Sequence, residues 1–365
     1  MNTTTIKFDA FETLKNDDCQ ERIIKAKKAL GDQIVILGHH YQNEAVYRHA
    51  DLTGDSLKLS KYVSSLDAKY IVFLGVHFMA EVSNILSRPK QITVLPDLSA
   101  GCSMADMANL TKVERTFREL SKVLDFDKTI TPITYINSAA DLKAFCGDHG
   151  GVVCTSTNAP TILDWAFKQR EKVLFFPDQN LGRWTGHKMD IPLGKMPIWD
   201  PDLPLGGLDI ETIKKAKVLL WKGHCAVHQM FRTEHIDLFR KTHPDGQVIS
   251  HPESPFEVCL NSDFVGSTEF ILNTIKNSEK GTKWLVGTEL NLVNRLANEM
   301  KPEGKLVQFM SHVVCECSTM ARIDPQHLAW TLENILNNNP VNIIQVPKKE
   351  SISAKMALDR MLEIS

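Results

Sequence analysis

The chain has 365 residues, 42 Lys and Arg against 44 Asp and Glu for a formal charge of −2, and 43% hydrophobic residues. This length supports two or three domains with ample core, which excludes a mini-protein that needs disulfide staples to fold. The near-neutral charge, spread along the chain, excludes the electrostatic footprint of a nucleic-acid binder, and no apolar run reaches the roughly 20 residues that span a bilayer.

Taken in chain order, short β-branched or apolar runs fall at 33–38, 70–75, 92–96, 130–136, 151–154, 172–177, 217–221, 247–250, 264–267, 284–287 and 306–310. Amphipathic stretches separate them, and this alternation predicts parallel α/β units. The Pro- and Gly-rich stretch 182–207 reads as an ordered surface loop or lid. A packing helix is predicted over 324–336, where Asp324-Pro325 supplies a start signal and Leu328, Leu332, Ile335 and Leu336 repeat on one face. The N-terminus lacks the charged-then-apolar layout of a signal peptide, so the expected location is the cytoplasm.

Three segments pass through the same order of features. The first strand leads to His39-His40-Tyr41; Gly54-Asp55-Ser56 then opens a helix, and the strand at 92–96 leads through Asp97 to Cys102. In the second segment the corresponding residues are Tyr135-Ile136-Asn137, Thr155-Ser156 and Cys225. In the third they are His251-Pro252-Glu253, Gly266-Ser267-Thr268 and the pair Cys315 and Cys317. The order predicts three copies of one α/β unit, at 20–110, 111–230 with the insertion 182–207, and 231–323, followed by C-terminal helices at 324–365 packing on the core.

Ligands of parallel α/β domains gather beyond the carboxyl ends of the strands, where all three polar clusters fall. A hydroxyl at a helix start lies beside free N–H groups and the positive end of the helix dipole, so Ser56, Ser156 and Thr268 are candidate anion ligands; each could instead simply cap its helix. Eight cysteines in a cytoplasmic protein are core residues or chemistry, because disulfides are rare there. Cys102, Cys225 and Cys317 each follow a strand in a different copy, and three thiolates brought to one point suggest zinc or an iron–sulfur cluster with a coordination position left open. Cys315 competes with Cys317, since a C-x-C pair can offer either sulfur. Cys19, Cys146, Cys154 and Cys259 match no repeated position. His39, Tyr41, Tyr135, His251 and Glu253 bring acid–base capacity to the same strand ends. His40, His49, His77, His187, His224, His228 and His312 read as structural, although His224 and His228 flank Cys225.

The motifs ILGHHYQ (36–42), ADLTGDSLKLS (50–60), VLPDLSAGCSMAD (94–106), TYINS (134–138), CTSTNA (154–159), FFPDQNLG (175–182), WKGHCAVH (221–228), HPE (251–253), VGSTEFI (265–271), VGTEL (286–290) and CECSTM (315–320) resemble those of the quinolinate synthase family, in the family's order and from about Val35 to Ile323. The resemblance implies three similar α/β/α domains with small parallel sheets about a pseudo-threefold axis. It implies that one cysteine from each domain holds a 4Fe-4S cluster with one open iron. By motif those ligands are Cys102, Cys225 and Cys317, the last because C-S-T-M matches the family pattern. It further implies a condensing transferase of NAD biosynthesis that joins iminoaspartate and dihydroxyacetone phosphate into quinolinate, releasing phosphate and two waters. L-aspartate oxidase is the implied supplier of the imine.

Substrate contacts carried over are His39, Ser56, Tyr135, Ile136, Asn137, Ser156, His251, Pro252, Glu253 and Thr268, with Tyr41 at the pocket. Of these, Glu253 and Tyr41 are expected to move protons, and His39 and His251 to position oxygens. The chain departs from the family in reading Gly-His-His at 38–40, which points to His39 over His40. It has only C-x-C near the last ligand, so the regulatory disulfide of members with C-x-x-C-x-x-C is not expected. The competing readings are a zinc-dependent hydrolase or lyase using His39 and cysteines, and a cluster-bearing sensor without catalysis.

Overall fold

The structure, a computed structural model, describes residues 5–313 and 316–365. It is α/β with three small sheets, all of them parallel. The first contains β1 (Ile34–His39), β2 (Leu52–Gly54), β3 (Tyr70–Leu74) and β4 (Ile92–Val94), in the order β2-β1-β3-β4. The second contains β5 (Ile130–Tyr135), β6 (Val152–Cys154), β7 (Lys172–Phe176), β8 (Ile198–Trp199) and β9 (Val218–Trp221), in the order β6-β5-β7-β9-β8. The third contains β10 (Gln247–Ser250), β11 (Phe264–Val265), β12 (Lys283–Gly287) and β13 (Leu306–Phe309), in the order β11-β10-β12-β13.

The same strand order therefore recurs three times, with β8 the one addition. In each sheet the chain leaves the first strand for one neighbour and returns to its other side, so a topological switch point lies beside the carboxyl ends of β1, β5 and β10. Helices cover both faces of such a sheet, which is why β1, β3, β5, β7 and β9 are buried at every position and read as unbroken apolar runs instead of alternating ones.

The described residues form two compact units, one from 5–102 with 316–346, the other from 103–313 with 347–365. The first unit holds the first sheet and the helix Pro325–Leu336, which packs against the helix Asn16–Leu30. Asp324 caps that C-terminal helix by accepting from His327 N at 2.8 Å, with Pro325 at its first position. Leu328, Leu332 and Ile335 are buried as predicted, but Leu336 is 40% exposed, because it closes the helix beyond the reach of the packing face.

The second unit holds the other two sheets. Its last helix, Lys348–Ile364, lies on Ala140–Asp148, where Gly147 lets the Ser353 carbonyl come so close that a Cβ would collide with it. The stretch 182–207 is not the surface loop its turn residues suggested. It completes the helix Gln179–Lys188 and then adds β8 as a parallel edge strand on β9. Trp199, 1% exposed, anchors it by donating from Nε1 to Thr116 Oγ1 at 2.9 Å. Burying one indole compensates for the poor strand signal around it. No helix among the described residues is long and apolar enough to cross a membrane.

Candidate active site

The expected site residues divide between the units. In the first unit, β1 ends at His39, and the Tyr41 main-chain N–H donates to His39 Nδ1 at 3.2 Å. Acceptance at Nδ1 leaves Nε2 as the proton-bearing nitrogen, and the Tyr41 ring meets the imidazole edge-on at 4.8 Å. The same turn recurs in the second unit beyond β10, where the Glu253 N–H lies 3.4 Å from His251 Nδ1. Two of the three copies thus present a histidine with its Nε2 proton at a strand end.

The hydroxyl residues do not cap their helices. Asp55 caps Ser56–Val63 by accepting from Lys58 N, and Ser267 caps Thr268–Asn277 by accepting from Phe270 N. Ser56 and Thr268 are the first helical residues, so the simple capping role is taken by their neighbours. Ser156 differs: its helix starts at Ala159, three residues on, and Ser156 instead lines a cavity of about 690 Å³ together with Pro252, Ser267, Trp184, Lys188 and Phe270.

Glu253 is the centre of the second unit's site. It is 3% exposed and accepts a 2.7 Å hydrogen bond from Tyr135 Oη, while His228 Nδ1 approaches its other oxygen to 3.0 Å and His251 Nδ1 to 3.9 Å. Asn180 Nδ2 donates to its main-chain oxygen at 3.1 Å. Burial pushes the Glu253 carboxyl up, but the two nearby imidazoles and the Tyr135 hydrogen bond outweigh it and hold the group below the usual carboxylate range. For His251, burial dominates over the neighbouring carboxylate and lowers the imidazole to about 4, so it is neutral near pH 7. Asp178 behaves in the opposite way: burial first, then the charge of Glu253, push it well above the ordinary value, against the main-chain N–H groups of Leu181, Asn180 and Cys225. These two neighbouring carboxyls are thus driven in opposite directions, a divergence found at acid–base sites.

Cys225 joins this group. Its sulfur, one His228 nitrogen and one Glu253 oxygen lie within 4.8 Å of one another, a set that could hold a metal ion. The loop bearing Cys225 is fixed by close backbone approach, since a Cβ on Gly223 would strike the Pro177 carbonyl, and Gln179 N donates to Gly223 O at 2.9 Å. Cys102, Cys225 and Cys317 are all half-buried. The other described cysteines are buried, and burial raises their thiols: Cys259 to about 12, and Cys19, Cys146 and Cys154 upward as well. Those four are core residues. Cys315 lies outside the described residues.

Sequence reasoning offered His228 only as a structural histidine that could support the neighbouring Cys225, and did not single out Asp178 or Asn180. The available signal for His228 was its position three residues after Cys225; for Asp178 and Asn180 it was the polar FPDQN turn directly after a strand.

Fold and site together define an α/β enzyme whose acid–base groups sit at parallel strand ends, with a cysteine that could join a metal site beside them. The family model for the quinolinate synthetase A protein matches residues 21–363. A quinolinate synthase of Rhodopirellula baltica is 51% identical over 366 residues, covering 97% of this chain and 93% of its own length. One from Herpetosiphon aurantiacus is 50% identical, with 96% and 94% covered, and one from Acidobacterium capsulatum 49%, with 98% and 95% covered. The chain belongs to the quinolinate synthetase A family and is an enzyme of that family.

Proposed function

We propose that this enzyme condenses iminoaspartate with dihydroxyacetone phosphate to form quinolinate, releasing phosphate and two waters, in the cytoplasmic biosynthesis of NAD. The observation that carries the reading is Glu253, buried against the Tyr135 hydroxyl and two imidazoles, with the Cys225 sulfur within 4.8 Å. Glu253 takes and returns the protons that move during isomerisation and dehydration, with Tyr41 as its counterpart in the first unit. His39 and His251 donate from Nε2 to substrate oxygens. Ser56, Ser156 and Thr268 grip carboxylate or phosphate at helix or strand ends, and Ile136, Asn137 and Pro252 complete the substrate contacts.

The residues present fit a 4Fe-4S cluster: three half-buried cysteines, one after the last strand of each sheet, stand apart from four inert buried ones. Cys102, Cys225 and Cys317 would hold it, one from each repeat. When bound, its open iron supplies a Lewis acid for the departing hydroxyl. The unstable imine would come from an L-aspartate oxidase. The test is anaerobic turnover with imine generated in place and dihydroxyacetone phosphate, with quinolinate separated chromatographically; iron-loaded protein that forms none sinks the proposal.

A second reading, a zinc-dependent hydrolase or lyase, has one observation in its favour. Cys225, His228 and Glu253 make a sulfur, nitrogen and oxygen set of the kind catalytic zinc takes. Anaerobic purification separates the two: brown protein containing iron supports the first, colourless protein containing stoichiometric zinc the second.

A further inference from the structure

We infer that Lys143 is a positioning residue, a buried ammonium that fixes the strand-end loop carrying Tyr135 and Asn137; the inference rests on the functional reading above. Lys143 is 0% exposed in the helix Ala140–Asp148. Its Nζ donates to the Ile136 carbonyl at 2.9 Å and to the Ser138 carbonyl, and lies 3.3 Å from Ser138 Oγ. Ser138 Oγ in turn donates to the Tyr135 carbonyl at 2.8 Å, and Thr134 Oγ1 donates to Ser138 Oγ at 2.8 Å. The carbonyls of residues 135, 136 and 138 are therefore tied, directly or through one hydroxyl, to one cation, while Ile136 N donates across to Cys154 O at 2.8 Å.

Two other lysines are buried among the described residues, and they differ from this one. Lys172 donates to Lys214 O and Ala216 O, and Lys305 to Ile275 O and Lys276 O, so both hold the last carbonyls of helices, where a cation matches the dipole. Lys143 ends no helix. It sits inside the first turns of its own and reaches back to the loop from which Tyr135 Oη meets Glu253 Oε1. An ammonium out of water is costly, and an apolar side chain of similar length would fill the space with less penalty. What the ammonium adds is a fixed loop and a positive charge behind a pocket read as taking a dicarboxylate.

The test measures quinolinate binding by calorimetry to anaerobic holoenzyme, alongside iron content, melting temperature and steady-state kinetics. Wild-type protein that does not bind quinolinate contradicts the functional reading. If it binds, Lys143→Met is expected to weaken the affinity roughly tenfold to a hundredfold, the range for losing hydrogen bonds to a charged group. The loss should appear in KM for the imine more than in kcat, with iron content kept. Lys143→Gln, which retains an N–H donor, should recover part of it. Ser138→Ala, which keeps the charge, supplies the measurement if Lys143→Met does not fold, and should weaken binding severalfold. Affinity equal to wild type in whichever of Lys143→Met and Ser138→Ala folds overturns the inference. So does a loss of affinity that only parallels loss of melting temperature and iron.

Discussion

Glu253 concentrates the chemistry of the second unit because a phenol and two imidazoles converge on its buried carboxyl. Burial alone would keep the carboxyl protonated, and the Tyr135 hydrogen bond and the flanking imidazoles reverse that. Glu253→Gln keeps the shape and removes the base, so turnover should fall by about 10²–10⁴-fold with iron content retained, as measured by anaerobic kinetics and metal analysis. His251 makes a separate prediction. Its folded value of about 4 lies below the ordinary 6.5, so between these values the unfolded chain binds the extra proton. Stability contributed by the neutral ring is therefore complete above about pH 6.5 and is lost as pH falls toward 4. His251→Gln should flatten this part of the curve of urea midpoint against pH; an unchanged slope would show that the ring does not titrate there. These residues were legible in the sequence because they are rare types at repeated strand ends. Lys143 and His228 were not, since a lysine on an amphipathic helix reads as solvated and a lone histidine as packing until burial is seen.

Helix starts show how neighbouring polar residues divide two tasks. In Ser267-Thr268 the serine closes the helix N-terminus and the threonine is the first helical residue, 3% exposed. Removing a cap costs about 1 kcal/mol, whereas a hydroxyl used for an anion shows in KM. Ser267→Ala should therefore lower the melting temperature by more than Thr268→Ala does, and Thr268→Ala should raise KM about tenfold; calorimetric melting and kinetics on both variants check the division. Equal melting losses with unchanged KM would return Thr268 to a packing role. The sequence showed a hydroxyl near each helix but not which residue caps, because that depends on one backbone angle at the turn. The edge strand β8 escaped for a similar reason. Two residues, Ile198–Trp199, carry no period; the strand pairs with β9, and Trp199 is held by its buried partner Thr116.

Across the whole molecule, the threefold recurrence of strand order ties the cysteines to equivalent places, each after the last strand of its sheet. That recurrence was readable from the order of motifs, because strand, polar end, hydroxyl and thiol repeat even though their spacings do not. The choice between Cys315 and Cys317 rests on motif alone. In the proposed function, three half-buried sulfurs, one from each repeat, hold one iron–sulfur centre. The most direct measurement is iron and sulfide content, with electron paramagnetic resonance after reduction, on anaerobic Cys102→Ser, Cys225→Ser, Cys317→Ser and Cys315→Ser proteins. About four irons are expected in the wild type and in Cys315→Ser, with the cluster signal lost in the other three. Iron retained in any of those three, or zinc in place of iron in the wild type, would contradict the proposed function.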